Sequence, residues 1–299
     1  MADKTASVLA KLKNKSKEQG VPLQQLLNLF CQEEFIRRLA RSNYKDQLIL
    51  KGGFLLYTIS QFTTRPTVDA DYLLKNHSND QAEVEKLINS IIQDGGENDF
   101  AQLEIRNTEI ISENKSYHGI RANLLGTIGR TKTQFSIDFG IGDVIVPSAV
   151  TRTLPVLIND FEQPEVLTYS LESTIAEKID AIIVMMELTG RMKDFYDIYY
   201  LATTFDFDGR KLQEAIYDTL TNRGTPYEKD SILAINDLVD NKQIQQRWSV
   251  FCKKILKFDI ELQSVIEIIT DMLQPPFKAI VIEGEFFGTW SAEEQKYIS

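Results

Sequence analysis

The sequence feature that most constrains the fold is a strand-like segment, residues 68–74, that carries two aspartates. Successive side chains of a β-strand point to opposite faces, so Ala70 and Tyr72 belong to an apolar face while Asp69 and Asp71 share the other face. The segment therefore predicts a strand with one side facing a core and one side presenting two carboxylates.

The spacing of these carboxylates favours a bound cation. At about 3.3 Å per residue, the Cα atoms of Asp69 and Asp71 lie roughly 7 Å apart, and two carboxylates at that distance repel each other unless a cation sits between them. Magnesium fits, because it takes oxygen ligands and keeps positions for substrate phosphates. Residues 135–141 repeat the alternation, so Asp138 is a candidate third ligand of a two-metal site. The alternative is a solvated strand face, which is the commoner meaning of an isolated Asp-x-Asp.

A glycine pair precedes the aspartates. Gly52 and Gly53 follow a predicted strand that ends at residues 48–50 and begin an apolar helical segment over residues 54–62. Such a turn lets backbone N–H groups approach a phosphate at the helix N-terminus. A tight strand-to-helix connection is the alternative, but a turn, a helix and a two-carboxylate strand together form a more specific pattern.

A second group of charged residues lies in the helical part of the chain. Asp194 and Asp197 are i,i+3 neighbours that follow a predicted helix end at Gly190. Local pairing of Arg191 with Asp194 and of Lys193 with Asp197 is the alternative to a functional role.

Four motifs occur in a fixed order along the chain: Lys51-Gly52-Gly53, Arg65-x-Thr67-x-Asp69-x-Asp71, Glu177-Lys178 and Arg191-x-Lys193-Asp194-x-x-Asp197. In this order they resemble the AbiEii toxins, which are DNA-polymerase-β-like nucleotidyltransferases paired with AbiEi antitoxins and related to the mycobacterial MenT toxins. The resemblance runs from about residue 48 to residue 202.

The resemblance implies a role for each motif. The glycine turn, with Arg191, would bind nucleotide phosphates and the Asp-x-Asp pair would bind Mg²⁺. The catalytic residues would be Asp69, Asp71, Lys178 and Asp194. Lys178 would meet the triphosphate, and replacing it with Met is expected to cost little stability. Asp194 is expected to open to the same cleft as the Asp-x-Asp pair, with Asp197 supporting its helix from behind. Gly53 stands where the wider superfamily often has serine, and Ala70 is smaller than the usual residue.

The implied reaction is nucleotidyl transfer from an NTP to an acceptor hydroxyl. The resemblance suggests GTP or a pyrimidine triphosphate as donor, tRNA as acceptor and an AbiEi-like antitoxin encoded nearby, with no direct complex required. Two alternatives stay open: a small-molecule nucleotidyltransferase that modifies an antibiotic, and a catalytically silent nucleotide-binding module. Arg121, Arg130 and Lys132 are candidate RNA contacts, with a solvated hairpin as the alternative.

Composition sets the broad class. The 299 residues carry a net charge of −10, which argues against non-specific binding to a polyanion. Two cysteines are too few for a disulfide scaffold, and the absence of a membrane-length apolar run or an apolar leader predicts a cytoplasmic protein with no membrane partner. The pattern predicts an α+β fold: a nucleotidyltransferase domain with a mixed sheet over residues 1–165, then an all-helical domain over residues 166–299 that closes the cleft.

Overall fold

The computed structural model describes residues 2–67, 69–75, 80–93, 96–98, 100–111 and 119–298. These residues form two compact units. The first comprises residues 1–142 and 150–168, and the second comprises residues 143–149 and 169–299. The chain therefore crosses between the units more than once.

The first unit begins with two helices. Gly20 adopts a left-handed φ of +65°, which ends the first helix, and Pro22 directly precedes the second. The elements of the unit are α1 (Ala2–Gln19), α2 (Leu23–Arg41), β1 (Leu48–Lys51), α3 (Gly52–Ile59), β2 (Ala70–Leu74), α4 (Gln81–Gln93), β3 (Ala101–Ile111), β4 (Gly119–Ile128), β5 (Thr131–Gly140), β6 (Val150–Thr153) and β7 (Glu165–Thr168).

A mixed sheet organises this unit, with strand order β3-β4-β5-β2-β1-β7-β6. The β2/β5 and β1/β7 pairs are parallel and the other pairs are antiparallel. On the covered face, the Tyr72 ring packs 5.8 Å from the ring of Phe35 on α2 and 6.0 Å from that of Phe139 on β5. Each such buried aromatic contributes about 1.5–3 kcal/mol of apolar burial. The predicted mixed sheet is confirmed.

The proline-punctuated stretch after β5 also contains strands. β6 and β7 form a hairpin there, and β7 adds to the sheet beside β1 through the Leu50–Thr168 pair. Strands of four residues are too short for a clear alternation pattern.

Helix α2 carries buried charges among its apolar residues. The Glu33 carboxylate accepts a hydrogen bond from the Leu157 backbone N–H at 2.7 Å and lies 3.4 Å from the Arg37 guanidinium. Burial raises the pKa of Glu33 to about 7, despite the opposing effects of Arg37 and this hydrogen bond. The unit therefore holds a buried ionisable cluster on the covered side of its sheet.

The sequence predicts an all-helical domain for this part of the chain, and the second unit is mainly helical but also contains a small sheet. Its elements are α5 (Leu171–Met185), α6 (Met192–Thr204), β8 (Phe207–Asp208), α7 (Gly209–Arg223), α8 (Lys242–Phe251), α9 (Leu262–Val281), β9 (Thr289–Ser291) and β10 (Lys296–Ile298). The last three strands pair in the order β10-β9-β8. These strands are two or three residues long, which is too short for side-chain alternation to predict them from the sequence.

The segment 143–149 belongs to the second unit because hydrogen bonds fix it there. Asp143 binds the Arg223 guanidinium with an N–O distance of 2.8 Å, and the Val146 backbone bonds to the hydroxyls of Ser170 and Ser173. Ser170 also caps α5 by accepting from the Ser173 N–H. The first turn of α5 thus orders both its own helix and this segment.

Within the part of the chain that the structure describes, no helix is both long and apolar enough to span a bilayer. Both cysteines, Cys31 and Cys252, are buried free thiols.

Candidate active site

The glycine turn lies directly against one of the predicted metal ligands. Gly52 begins α3 with φ at +70°, and a Cβ at this position would overlap the Asp71 carboxylate. A side chain is therefore excluded at residue 52 by backbone conformation and by space. No side chain of Lys51 caps the helix, so the first-turn N–H groups of α3 suit a phosphate.

The second glycine of the turn faces two residues of the next motif. A Cβ on Gly53 would come within 3.1 Å of an Arg65 guanidinium nitrogen and 3.2 Å of the Thr67 hydroxyl. Thr67 also accepts a hydrogen bond from the Asp69 N–H at 3.3 Å. Arg65 had no role predicted from the sequence, yet this residue places a buried cation beside the turn, where a serine side chain at position 53 would crowd it.

A row of charged residues crosses the open face of the sheet. The strand registers align Lys51 with Asp71, Asp71 with Asp138, Asp138 with Arg121, and Arg121 with Glu109. Asp71 and Asp138 thus lie on adjacent strands and on the same face, as the alternation predicts. Asp69 precedes β2 and is exposed.

The third predicted ligand already has a strong partner. Arg121 donates two hydrogen bonds to Asp138, each 2.7 Å long, and this bidentate contact raises the pKa of Arg121. Among the described residues, no group of three or more His, Cys, Asp and Glu side chains is placed to hold a metal ion. Asp138 is therefore available to a ligand only after exchange with Arg121.

The other RNA candidates, Arg130 and Lys132, are exposed at the hairpin between β4 and β5. Arg121 differs from them because it is an ion-pair partner on the sheet face. Of the histidines, His77 and His118 both lie outside the described residues.

In the second unit, Lys178 joins both candidate aspartates of α6. Its ammonium nitrogen lies 2.9 Å from Asp194 Oδ1 and 2.6 Å from Asp197 Oδ2. Only 10% of the lysine side chain is exposed, and the two carboxylates are buried further. Arg191, at the N-terminus of α6, lies 3.7 Å from the other Asp194 oxygen, which has no hydrogen-bond partner.

This cluster replaces one of the two local pairs that the sequence left open, that of Lys193 with Asp197. Asp197 pairs with Lys178 on α5, and Lys193 is exposed on the helix surface. Asp194 keeps the expected contact with Arg191, although at 3.7 Å it is the weaker of its two ion pairs. The predicted shared cleft of Asp194 with the Asp-x-Asp pair stays a prediction.

A second ionic network in this unit was not anticipated. Arg223, at the end of α7, binds Asp143, Glu177 and Asp180 at 2.8–3.2 Å. The Thr225 hydroxyl also donates to Asp180. Glu177, the neighbour of Lys178 in the motif, thus serves an ion pair that orders α5 and α7. The presence of Glu177 in the Glu177-Lys178 motif is the one sequence feature that pointed to this network.

Comparison with known proteins identifies a family to which the chain is similar. The family model for the nucleotidyl transferase AbiEii toxin of type IV toxin–antitoxin systems matches residues 34–281. No curated protein matches the sequence.

Among solved structures, the chain resembles MenT4, a nucleotidyltransferase toxin from Mycobacterium tuberculosis H37Rv. The TM-score is 0.58 at 13% identity, over 90% of this chain and 88% of that chain. JHP933 from Helicobacter pylori matches with a TM-score of 0.46 at 15% identity, over 87% of this chain and 93% of that chain. The MenT4 likeness supports the fold, and the family match spans all four motifs. The chain therefore belongs to the AbiEii family of nucleotidyltransferase toxins of type IV toxin–antitoxin systems.

Proposed function

We propose that this toxin transfers a nucleotidyl group from an NTP to an acceptor hydroxyl with Asp69 and Asp71 as the ligands of Mg²⁺. Gly52 and Gly53 bind the triphosphate through the N–H groups that begin α3. The attack is in line and releases pyrophosphate. GTP or a pyrimidine triphosphate is the proposed donor, and tRNA is the proposed acceptor.

The observation that carries this proposal is the contact between Gly52 and Asp71. A phosphate held at the turn would lie next to a carboxylate that, alone, would repel it. A divalent cation would offset this repulsion, because carboxylate and phosphate oxygens are both ligands that Mg²⁺ accepts. The close approach of an anionic side chain to a phosphate-binding backbone thus supports a metal-dependent site.

The donor set suits magnesium with few protein ligands. Mg²⁺ is commonly held by one or two carboxylates together with substrate phosphates and water, which matches Asp69 and Asp71. When bound, it would neutralise charge on the triphosphate and stabilise the leaving oxygen. Asp138 is the proposed further ligand, with Arg121 as its partner in the absence of substrate.

The residues of the second unit have proposed roles in charge compensation. Lys178 would offset the charge that develops on the leaving pyrophosphate, and Arg191 would contact the nucleotide phosphates. Asp194 holds Lys178 through a 2.9 Å contact and would orient it. Asp197 holds the same ammonium from the next turn of α6.

Two other functions would use part of the same site. A silent nucleotide-binding module has no need of several carboxylates beside a phosphate turn, because they weaken anion binding unless a metal is present. An enzyme that modifies an antibiotic would share the donor site and differ only in its acceptor.

The test is incubation of the protein with each labelled NTP and Mg²⁺, with and without total tRNA. We expect one NTP to be consumed and the label to appear in RNA, with loss of both when EDTA is added. Labelling of a small molecule instead would replace the tRNA proposal, and consumption of no NTP would contradict the reaction itself.

The family also implies an antitoxin partner. We propose an AbiEi-like, DNA-binding antitoxin encoded nearby that need not bind the toxin. Co-expression followed by size-exclusion chromatography would detect a stable complex if one forms.

A further inference from the structure

A groove of about 340 Å³ adjoins Asp69 on the first unit. Its volume falls within the about 300–1,000 Å³ that small-ligand sites occupy. We name it the amide groove, because its lining includes Asn107, Asn123 and Gln134 beside Arg106 and Ser136. The proposed catalytic machinery uses only Asp69 of these residues.

The strand registers explain why polar groups collect there. Asn107 pairs with Asn123 across β3 and β4, and Asn123 pairs with Ser136 across β4 and β5. The three side chains therefore form a cross-strand row. This row lies two residues along the strands from the row that holds Asp71 and Asp138, on the same face of the sheet. The register shift between Ile105 and Asn107 places Arg106 in a β-bulge, and bulges redirect side chains at functional edges.

Part of the groove lies where β5 extends beyond its pairing with β2. The pairing of β2 with β5 begins at Ala70 and Ile137, so residues 134–136 of β5 precede the β2 register. Asp69 approaches this stretch just before β2 begins. The result is a notch beside a candidate metal ligand, lined by amides and a guanidinium.

The groove lies on the side of β2 away from the glycine turn. In the strand order, β1 and its turn flank β2 on one side, while β5, β4 and β3 flank it on the other. In-line transfer places the attacking hydroxyl and the leaving pyrophosphate on opposite sides of the transferred phosphorus. If the turn holds the donor phosphates, as proposed above, the amide groove is on the acceptor side.

The lining chemistry selects the kind of acceptor. An amide presents a donor and an acceptor together, which matches the hydrogen-bonding edge of an unpaired base. Asn123 donates to Glu109 at 3.3 Å, so its amide is held in place before any ligand binds. The exposed Arg106 guanidinium lies 3.3 Å from the Glu104 carboxylate, and by exchanging this ion pair it would contact a phosphate or the face of a base. A polycationic antibiotic would instead call for several carboxylates, and Asp69 is the only one among the groove residues that the structure describes.

We propose that the amide groove binds the terminal, unpaired nucleoside of the acceptor strand, with Asn107 and Gln134 reading its base and Arg106 contacting the adjacent phosphate. This inference rests on the proposed function for its orientation toward the donor. With one Arg and one Asp in the groove, recognition depends on hydrogen bonds more than on charge. That is how a chain with a net charge of −10 can bind RNA.

The test measures binding apart from catalysis. Short single-stranded RNAs that end in each standard nucleoside are titrated with the protein without NTP, and fluorescence anisotropy is recorded. We expect a preference for one terminal base and about 5- to 100-fold weaker binding of that RNA for Asn107→Ala and for Gln134→Ala. Both positions are exposed, so the variants should fold normally. Gln102→Ala is the control, since it removes an exposed amide of β3 outside the groove.

Arg106→Gln adds a second readout. Loss of one phosphate contact should lower the slope of log affinity against log salt by about 0.7. Equal RNA binding by wild type, Asn107→Ala and Gln134→Ala would overturn the groove assignment while leaving nucleotidyl transfer intact. Transfer to an antibiotic that continues unchanged in these variants would also overturn it. If no NTP is consumed but the variants still lose RNA binding, the proposed reaction fails and the groove stands as an RNA site.

Discussion

The two charged regions of this toxin are built in opposite ways. The sheet carboxylates, Asp69, Asp71 and Asp138, lie on an open face and are exposed or half-buried. The lysine cluster, Lys178 with Asp194 and Asp197, is almost completely buried and internally paired. Asp69, Asp71 and the lysine cluster belong to the four motifs within the family match, but only the lysine cluster is also a packing element.

This contrast separates two kinds of functional residue. The sheet carboxylates lie on an open face where solvent screens their interactions, so we expect their replacement to remove chemistry and leave the fold intact. A buried lysine between two buried carboxylates is different, because removing it takes away the ammonium that both carboxylates share. We therefore expect substitutions on the sheet to affect activity alone and substitutions in the lysine cluster to affect activity and stability together.

The largest effect is expected from Asp69→Ala or Asp71→Ala. Loss of a proposed metal ligand should lower the transfer rate at least about 100- to 1,000-fold, while the melting temperature stays unchanged or rises as carboxylate repulsion is relieved. Labelled-NTP transfer and thermal unfolding, measured on the same preparations, provide the test. Asp46→Ala, another exposed aspartate, is the control. Full activity of Asp69→Ala would remove the sheet carboxylates from the site.

Lys178→Met tests whether the lysine cluster stabilises the fold as its burial suggests. The sequence alone predicts little loss of stability, and the structure changes that expectation. Breaking a buried ion pair by removing one partner costs about 3–5 kcal/mol of unfolding free energy. Urea unfolding of Lys178→Met measures this loss, and binding of a labelled NTP measures the proposed phosphate contact.

Lys193→Met is the matched control, because Lys193 is an exposed lysine on α6 beside the cluster. It should change neither stability nor binding. A Lys178→Met protein as stable as wild type would show that the cluster is functional without being structural.

Glu33 tests whether every buried charge contributes to activity, as is proposed for the lysine cluster, or whether some contribute to stability only. The pKa of Glu33 is raised to about 7 by burial, above the ordinary value of 4.5, so the native state holds this proton more tightly than the unfolded state. Its contribution to stability is full below the unfolded value and is lost as the pH rises through about 7, with a slope of at most about 1.4 kcal/mol per pH unit.

Glu33→Gln should remove that part of the pH dependence of the urea midpoint and leave transfer activity unchanged. Its neutral amide oxygen can still accept from the Leu157 N–H. A loss of transfer in a stable Glu33→Gln protein would mean that buried charge in the first unit also serves the reaction.

The smallest effect is expected from Arg121→Gln. The Arg121 side chain is 40% exposed, so losing its ion pair with Asp138 should change stability by no more than about 1 kcal/mol. The released Asp138 should instead bind Mg²⁺ more tightly, which calorimetric titration would detect. Arg130→Gln is the control. Unchanged Mg²⁺ affinity in Arg121→Gln would exclude Asp138 as a metal ligand.

Sequence reasoning was strongest where neighbouring residues carry the information. The alternation around Asp71 and Asp138 placed both on one sheet face, and the registers confirm it. The glycine pair predicted a turn into a helix, and α3 begins at Gly52. Missed features depended on distant partners, such as Arg121 for Asp138 and Arg65 beside Gly53.

What the sequence by itself determined is the local chemistry: which residues alternate on a strand, where glycine permits a turn, and which helices have an apolar side. Strand periodicity and backbone sterics act over a few residues, so consecutive positions encode them. Tertiary structure alone decided that β7 pairs with β1, that residues 143–149 join the second unit, and that Lys178 binds both Asp194 and Asp197. Those outcomes depend on which distant groups packing brings within hydrogen-bonding distance, and many partners are compatible with the same local sequence.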